Sequence, residues 1–221
     1  MPPPSRTALL TGATGLVGRA LLPMLLRSHA SVDVLVRRAV PELGGEPRLR
    51  VHVVDFARLP AAFPAVDDVF IALGTTIKVA GSEAAFKAVD HDLVVAIARA
   101  AHAAGATRLG IVSALGADST SSVFYNRVKG DMEASVASLG YASTTFVQPS
   151  LLLGDRAALG QPERRIERFA VRLGTPLLGL IPRSVRPIRA DVVAASLIAA
   201  VAIGQPGVHR IVSGDMQATL A

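Results

Sequence analysis

Cysteine and tryptophan are absent from these 221 residues, and aromatic side chains make up only 4% of them. The missing cysteine excludes disulfides, thiolate catalysis and cysteine-ligated metal. Long apolar runs are missing too. The longest apolar-rich stretch, 192–203, falls short of the roughly 20 residues a bilayer span needs, so no integral membrane contact is expected. The first residues, MPPPSR, hold no apolar signal core, because the run from Ala8 breaks at Thr11 and Gly12. These absences predict a cytoplasmic protein. The formal charge of +6 comes mostly from scattered arginines, with no recognisable nucleic-acid module around them. It reads as a solvated basic surface, and no nucleic-acid partner is expected.

What the chain does have is alternation. Short apolar stretches at 6–11, 32–36, 50–54, 69–73, 109–112 and 143–147 read as strands. Between them, helical spacing covers 16–28 (with Pro23 as a local conflict), 83–104 and 122–139, the last two ending at Gly105 and Gly140. Such βαβ units require an α/β fold, a doubly wound parallel sheet with helices on both faces. After Pro149 the pattern changes. Residues 154–187 are rich in Arg, Pro and Gly, with a candidate amphipathic helix at 163–173. This part is too short for a second domain and is expected to be a small C-terminal substrate or lid segment of a single domain, 1–221. Asp191 is the expected N-cap of a helix running to 203, and 208–212 the closing strand.

Residues 11–18 read TGATGLVG, directly after the first strand and before the first helix. Glycines at 12, 15 and 18 suit a tight turn, and they also suit a loop whose backbone N–H groups meet a pyrophosphate at a helix N-terminus. The strand–loop–helix setting favours the second reading. At the end of the second strand an NAD site usually offers an acidic residue to the ribose 2′-hydroxyl. Here stand Arg37 and Arg38. A guanidinium pairs with a 2′-phosphate, so NADP(H) is expected ahead of NAD(H).

The chain has two tyrosines and three lysines, yet Tyr125 and Lys129 are four apart on a predicted helix. That spacing puts them on one face. A free phenol is a poor base near neutrality, and a neighbouring ammonium favours its phenolate. Ser113 ends the fifth strand, where its hydroxyl can hold a substrate carbonyl. His91 and His102, eleven apart on one predicted helix, read as solvated, and no metal site is expected.

Together, TGATGLVG, Asp55 after the third strand, ALGTT at 72–76, IVSALGAD at 111–118, YNRVK at 125–129 and QPSLLLGDR at 148–156 resemble short-chain dehydrogenases/reductases of the atypical or extended type. The resemblance is in particular to the Tat-interactive-protein-like group. It covers 6–156 well and the rest loosely. It implies a Rossmann fold in which Gly12, Thr14, Gly15, Leu16 and Val17 hold the pyrophosphate. Arg37 and Arg38 would take the 2′-phosphate, Asp55 and Phe56 flank the adenine, and Leu73, Gly74 and Thr75 line the ribose side. Lys129 would also bond the nicotinamide ribose, with Pro149, Ser150 and Leu151 beside the nicotinamide. Ser113 and Tyr125 would orient and protonate the carbonyl of a small-molecule substrate. The asparagine that often supports the lysine in this superfamily is replaced by Asp90. The short C-terminal region argues against a nucleotide-sugar substrate. An NADPH-sensing regulatory or protein-interaction module with little or no turnover is the alternative. Under either reading a monomer or homodimer is expected.

Overall fold

The computed structural model describes residues 5–43, 45–153, 182 and 184–218. In chain order these form β1 (Thr7–Thr11), α1 (Leu16–Ser28), β2 (Ser31–Val36), β3 (Leu49–Val53), β4 (Asp68–Ile71), α2 (Ile77–Ala80) and α3 (Glu83–Lys87). A π-helical stretch, Ala88–Leu93, then leads into α4 (Val94–Ala103). Next come β5 (Arg108–Val112), α5 (Phe124–Ala137), β6 (Ser143–Gln148), β7 (Leu152–Leu153), β8 (Ile188–Arg189), α6 (Ala190–Ile203), β9 (Gly207–Val212) and α7 (Ser213–Ala218).

Seven strands form one sheet in the order β3-β2-β1-β4-β5-β6-β9, every pairing parallel. The strand order reverses between β1 and β4, and in a doubly wound sheet ligands sit outside the C-terminal strand ends at that point. Period-two alternation sorts the core. Leu10, Val34, Phe70 and Val147 point toward α1 and α6, and pack with Leu21, Leu25, Val193 and Leu197. Leu9, Ile71, Ile111 and Phe146 point the other way, toward Ile97, Ala98, Met132 and Val136 of α4 and α5.

The expected helix over 83–104 is broken by the π-helical stretch. Such insertions gather at functional sites, and this one carries the buried Asp90. The wider turn also separates the two histidines. His91 lies against Asp92 and Ser135, whereas His102 packs its ring on Tyr141. Among the described residues no group of side chains has metal-binding geometry, and no helix is long and apolar enough to cross a membrane. Pro23 sits inside α1 but faces solvent, so the backbone bond it cannot make is left on the watered side. Asp191 is not the N-cap of α6. That position is Arg189, whose guanidinium pairs with Asp191 in the first turn. The candidate helix 163–173 and most of the segment 154–187 lie outside the described residues.

Two buried carboxylates tie the sheet together. Asp33 on β2 takes hydrogen bonds from Arg50 and His52 of β3, and Asp68 on β4 takes them from Arg6 and His29. Burial pushes both carboxyls up. The hydrogen bonds and opposite charges outweigh it and hold each below the usual carboxylate value. A depressed carboxyl contributes stability that is present above its unfolded value, near 3.9, and lost as pH falls through its folded value. Urea midpoints are therefore expected to stay level from neutrality to about pH 5 and fall steeply below about pH 4. Asp33→Asn should flatten that acid slope, and an unchanged slope would remove Asp33 from the account.

Candidate functional site

The three glycines of TGATGLVG have different physical reasons. Gly12 has φ +81°, and a Cβ there would strike the Ala72 carbonyl at the end of β4. A Cβ at Gly18 would strike the Gly12 carbonyl, so that glycine seats α1 on its own loop. Gly15 is the N-cap of α1 and bonds back to Gly12 (N···O 2.9 Å). No side chain caps this helix and no acidic residue occupies its first turn. The backbone N–H groups and the positive dipole end at Leu16 and Val17 are thus left for an anion. Thr14 is exposed beside them. The residues present fit a pyrophosphate.

Arg37, Val53, Val54, Asp55, Phe56 and Ala57 line a cavity of about 430 Å³ at the C-terminal ends of β2 and β3. Three of the residues expected around the adenosine end meet here: Arg37, Asp55 and Phe56. Arg38 is exposed and does not line it. The Asp55 carboxylate accepts the Ala57 N–H at 2.9 Å, which fixes its turn.

On the other side of the switch point, the loop Leu73–Gly74–Thr75 is fastened by Asp90. One carboxylate oxygen accepts the Thr75 N–H at 2.8 Å, and the other pairs with Lys129 Nζ at 2.6 Å. Both charged side chains are almost wholly buried, at 1% and 4% exposure. Asp90 thereby carries the lysine's counter-charge while it holds the loop. Tyr125, one turn earlier on α5, is half-buried with its ring 5.4 Å from that of Phe86. The second tyrosine is structural. Tyr141 donates to the Ala98 carbonyl at 2.7 Å, and burial pushes its phenol up.

Ser113, just past β5, is buried and donates its hydroxyl proton to Glu133 at 2.5 Å. Glu133 also takes Gln148 Nε2 at 2.9 Å and Arg210 Nε at 2.7 Å. Gly130 lets α5 approach this region, since a Cβ there would strike the backbone of Asp118 and Ser119. Pro149 accepts the Leu115 N–H at 3.0 Å and so links the two loops. The Ser150 hydroxyl is engaged with the Arg186 carbonyl and Ser213, with Leu151 following it toward β7. Sequence reasoning missed Glu133, Gln148 and Arg210. The signal for the first was available, because 125, 129 and 133 repeat every four residues along one helix face.

The sequence profile of a family described as NAD(P)H-binding matches residues 12–152. The mitochondrial protein FMP52 of Eremothecium gossypii is 39% identical over 187 residues, 78% of this chain and 83% of that protein. Protein HTATIP2 of Rattus norvegicus is 34% identical over 158 residues, 69% of this chain and 65% of that protein. Among solved structures, the Bordetella bronchiseptica enzyme WbmG in complex with NAD aligns with a TM-score of 0.68 at 20% identity, covering 97% of this chain and 75% of that one. At that identity the likeness is one of fold. The cytoplasmic expectation is overturned, because the fungal relatives are named as mitochondrial proteins. The composition of a folded domain carries no address, so the absences that prompted that expectation could not decide a compartment.

Proposed function

This chain belongs to the NAD(P)H-binding family, as an atypical short-chain dehydrogenase/reductase close to the Tat-interactive-protein-like group, and on that premise we propose that it is an NADP(H)-dependent reductase of a small carbonyl compound. The observation that carries the reading is the Asp90 bridge. One buried carboxylate fastens both the loop expected at the cofactor ribose and the lysine one turn from Tyr125. A bound nicotinamide dinucleotide supplies the hydride. The chain's own residues do the rest. Gly12, Thr14, Gly15, Leu16 and Val17 hold the pyrophosphate, with Arg37 at the 2′-phosphate and Arg38 beside it. Asp55 and Phe56 flank the adenine, and Leu73, Gly74 and Thr75 the ribose. Pro149, Ser150 and Leu151 stand beside the nicotinamide. Lys129 holds the ribose and, with Tyr125, delivers a proton to the carbonyl oxygen. Ser113 fixes the substrate.

Titration with NADPH and NADH tests the cofactor. NADPH should bind at least tenfold tighter, because a guanidinium–phosphate pair is a charge-assisted contact worth about 1.5–3 kcal/mol. Arg37→Ala should weaken NADPH by roughly 10- to 100-fold at about 1.4 kcal/mol per decade, with NADH unmoved. Equal affinity for the two dinucleotides would remove the phosphate role from Arg37.

One observation favours a second reading, an NADPH-responsive module that meets a protein partner without turnover. Asp90 neutralises the very lysine whose charge a reductase would use on Tyr125. Turnover of any carbonyl probe that depends on Tyr125 would dismiss it.

A further inference from the structure

The hydrogen-bond polarity around Ser113 points to a class of substrate. A serine hydroxyl has one proton to give and two lone pairs. Glu133 Oε1 accepts from both Ser113 and Gln148, and Oε2 accepts from Arg210. Every partner of this buried carboxylate is a donor. The Gln148 amide is fixed the same way round, since its oxygen would otherwise face the carboxylate. The serine proton is therefore committed to Glu133. Turning it away from Glu133 would remove a hydrogen bond from a carboxylate that is 2% exposed, and such losses are costly.

We infer that Ser113 meets its ligand as an acceptor, and that the group seated on it is a hydroxyl. Resting on the reductase reading above, the substrate class is a carbonyl compound with a neighbouring hydroxyl: the carbonyl oxygen faces Tyr125, and the hydroxyl donates to Ser113. Glu133 is a positioning residue. Gln148 from β6 and Arg210 from β9 hold it in place, the latter with its guanidinium also 5.6 Å from the centre of the Phe146 ring. Sites that hydrogen-bond a substrate hydroxyl reject analogues lacking it far more strongly than apolar pockets reject a missing methylene.

The test uses 2-hydroxyacetophenone and acetophenone as matched probes. NADPH binding to the same sample is measured first, and its failure would overturn the reductase reading together with this inference. On protein that binds NADPH, kcat/KM for each probe is measured, along with the affinity of each for the protein–NADP⁺ complex by calorimetry. The hydroxylated probe is expected to lead at least tenfold in both. Ser113→Ala should cut that lead to about twofold or less while leaving NADPH affinity in place. Glu133→Gln, whose amide can donate to Ser113 and reverse its proton, should shift preference toward acetophenone. If that variant fails to fold, Ser113→Ala decides alone. Equal handling of the two probes by the wild-type protein, a lead that survives Ser113→Ala, or no binding of the hydroxylated probe by protein that binds NADPH would overturn the inference.

Discussion

Tyr125→Phe is expected to lower carbonyl-dependent NADPH oxidation by roughly 10²- to 10⁴-fold, the range general acid catalysis supplies, while NADPH affinity stays within about twofold. The substitution deletes one oxygen and keeps the ring that lies against Phe86, so folding should be preserved. Turnover that persists in the variant would take the acid role from Tyr125 and leave the dinucleotide site standing.

The framework was legible because it rests on local signals. Ala8, Leu9 and Leu10 form a run buried on both sides of the sheet, as a central parallel strand must. The glycine triplet follows that run and opens α1, so sequence order alone put it at the switch point. Tyr125 and Lys129 were found because spacing of four is a property of one helix. Less local facts were not legible. The π-helical turn at Ala88–Leu93 carries no spacing signature, and it is what brings Asp90 against both Thr75 and Lys129. Glu133 joins Ser113, Gln148 and Arg210 from a helix, a loop and two strands, and no window of sequence holds them all. Gly18 shares the triplet's spacing with Gly12 and Gly15, yet its nearest obstacle is the Gly12 carbonyl. Its requirement is packing of helix on loop.

The Asp90–Lys129 pair separates architecture from chemistry. Asp90→Ala leaves a lysine that is 3% exposed without its counter-charge, and strips the Thr75 N–H of its acceptor. Breaking one side of a buried pair costs about 3–5 kcal/mol. For a domain of this size each kcal/mol moves the melting midpoint by roughly 2–4 °C, so a fall of roughly 6–20 °C is expected. Removing both charges is a different experiment. Asp90→Asn with Lys129→Met keeps an acceptor for Thr75 and an unbranched side chain in the lysine's channel, and uncharged replacements of buried pairs are often neutral. That double variant should melt close to wild type. It should also lack carbonyl turnover, since the ammonium that the proposed reductase would use is gone. A double variant as unstable as Asp90→Ala would mean that the pair carries the fold. An Asp90→Ala protein melting within about 2 °C of wild type would mean that water reaches Lys129, and the counter-charge account would fail. The outcome expected here, stability restored without activity, would mean that the fold does without the pair's charges and the proposed reductase does not.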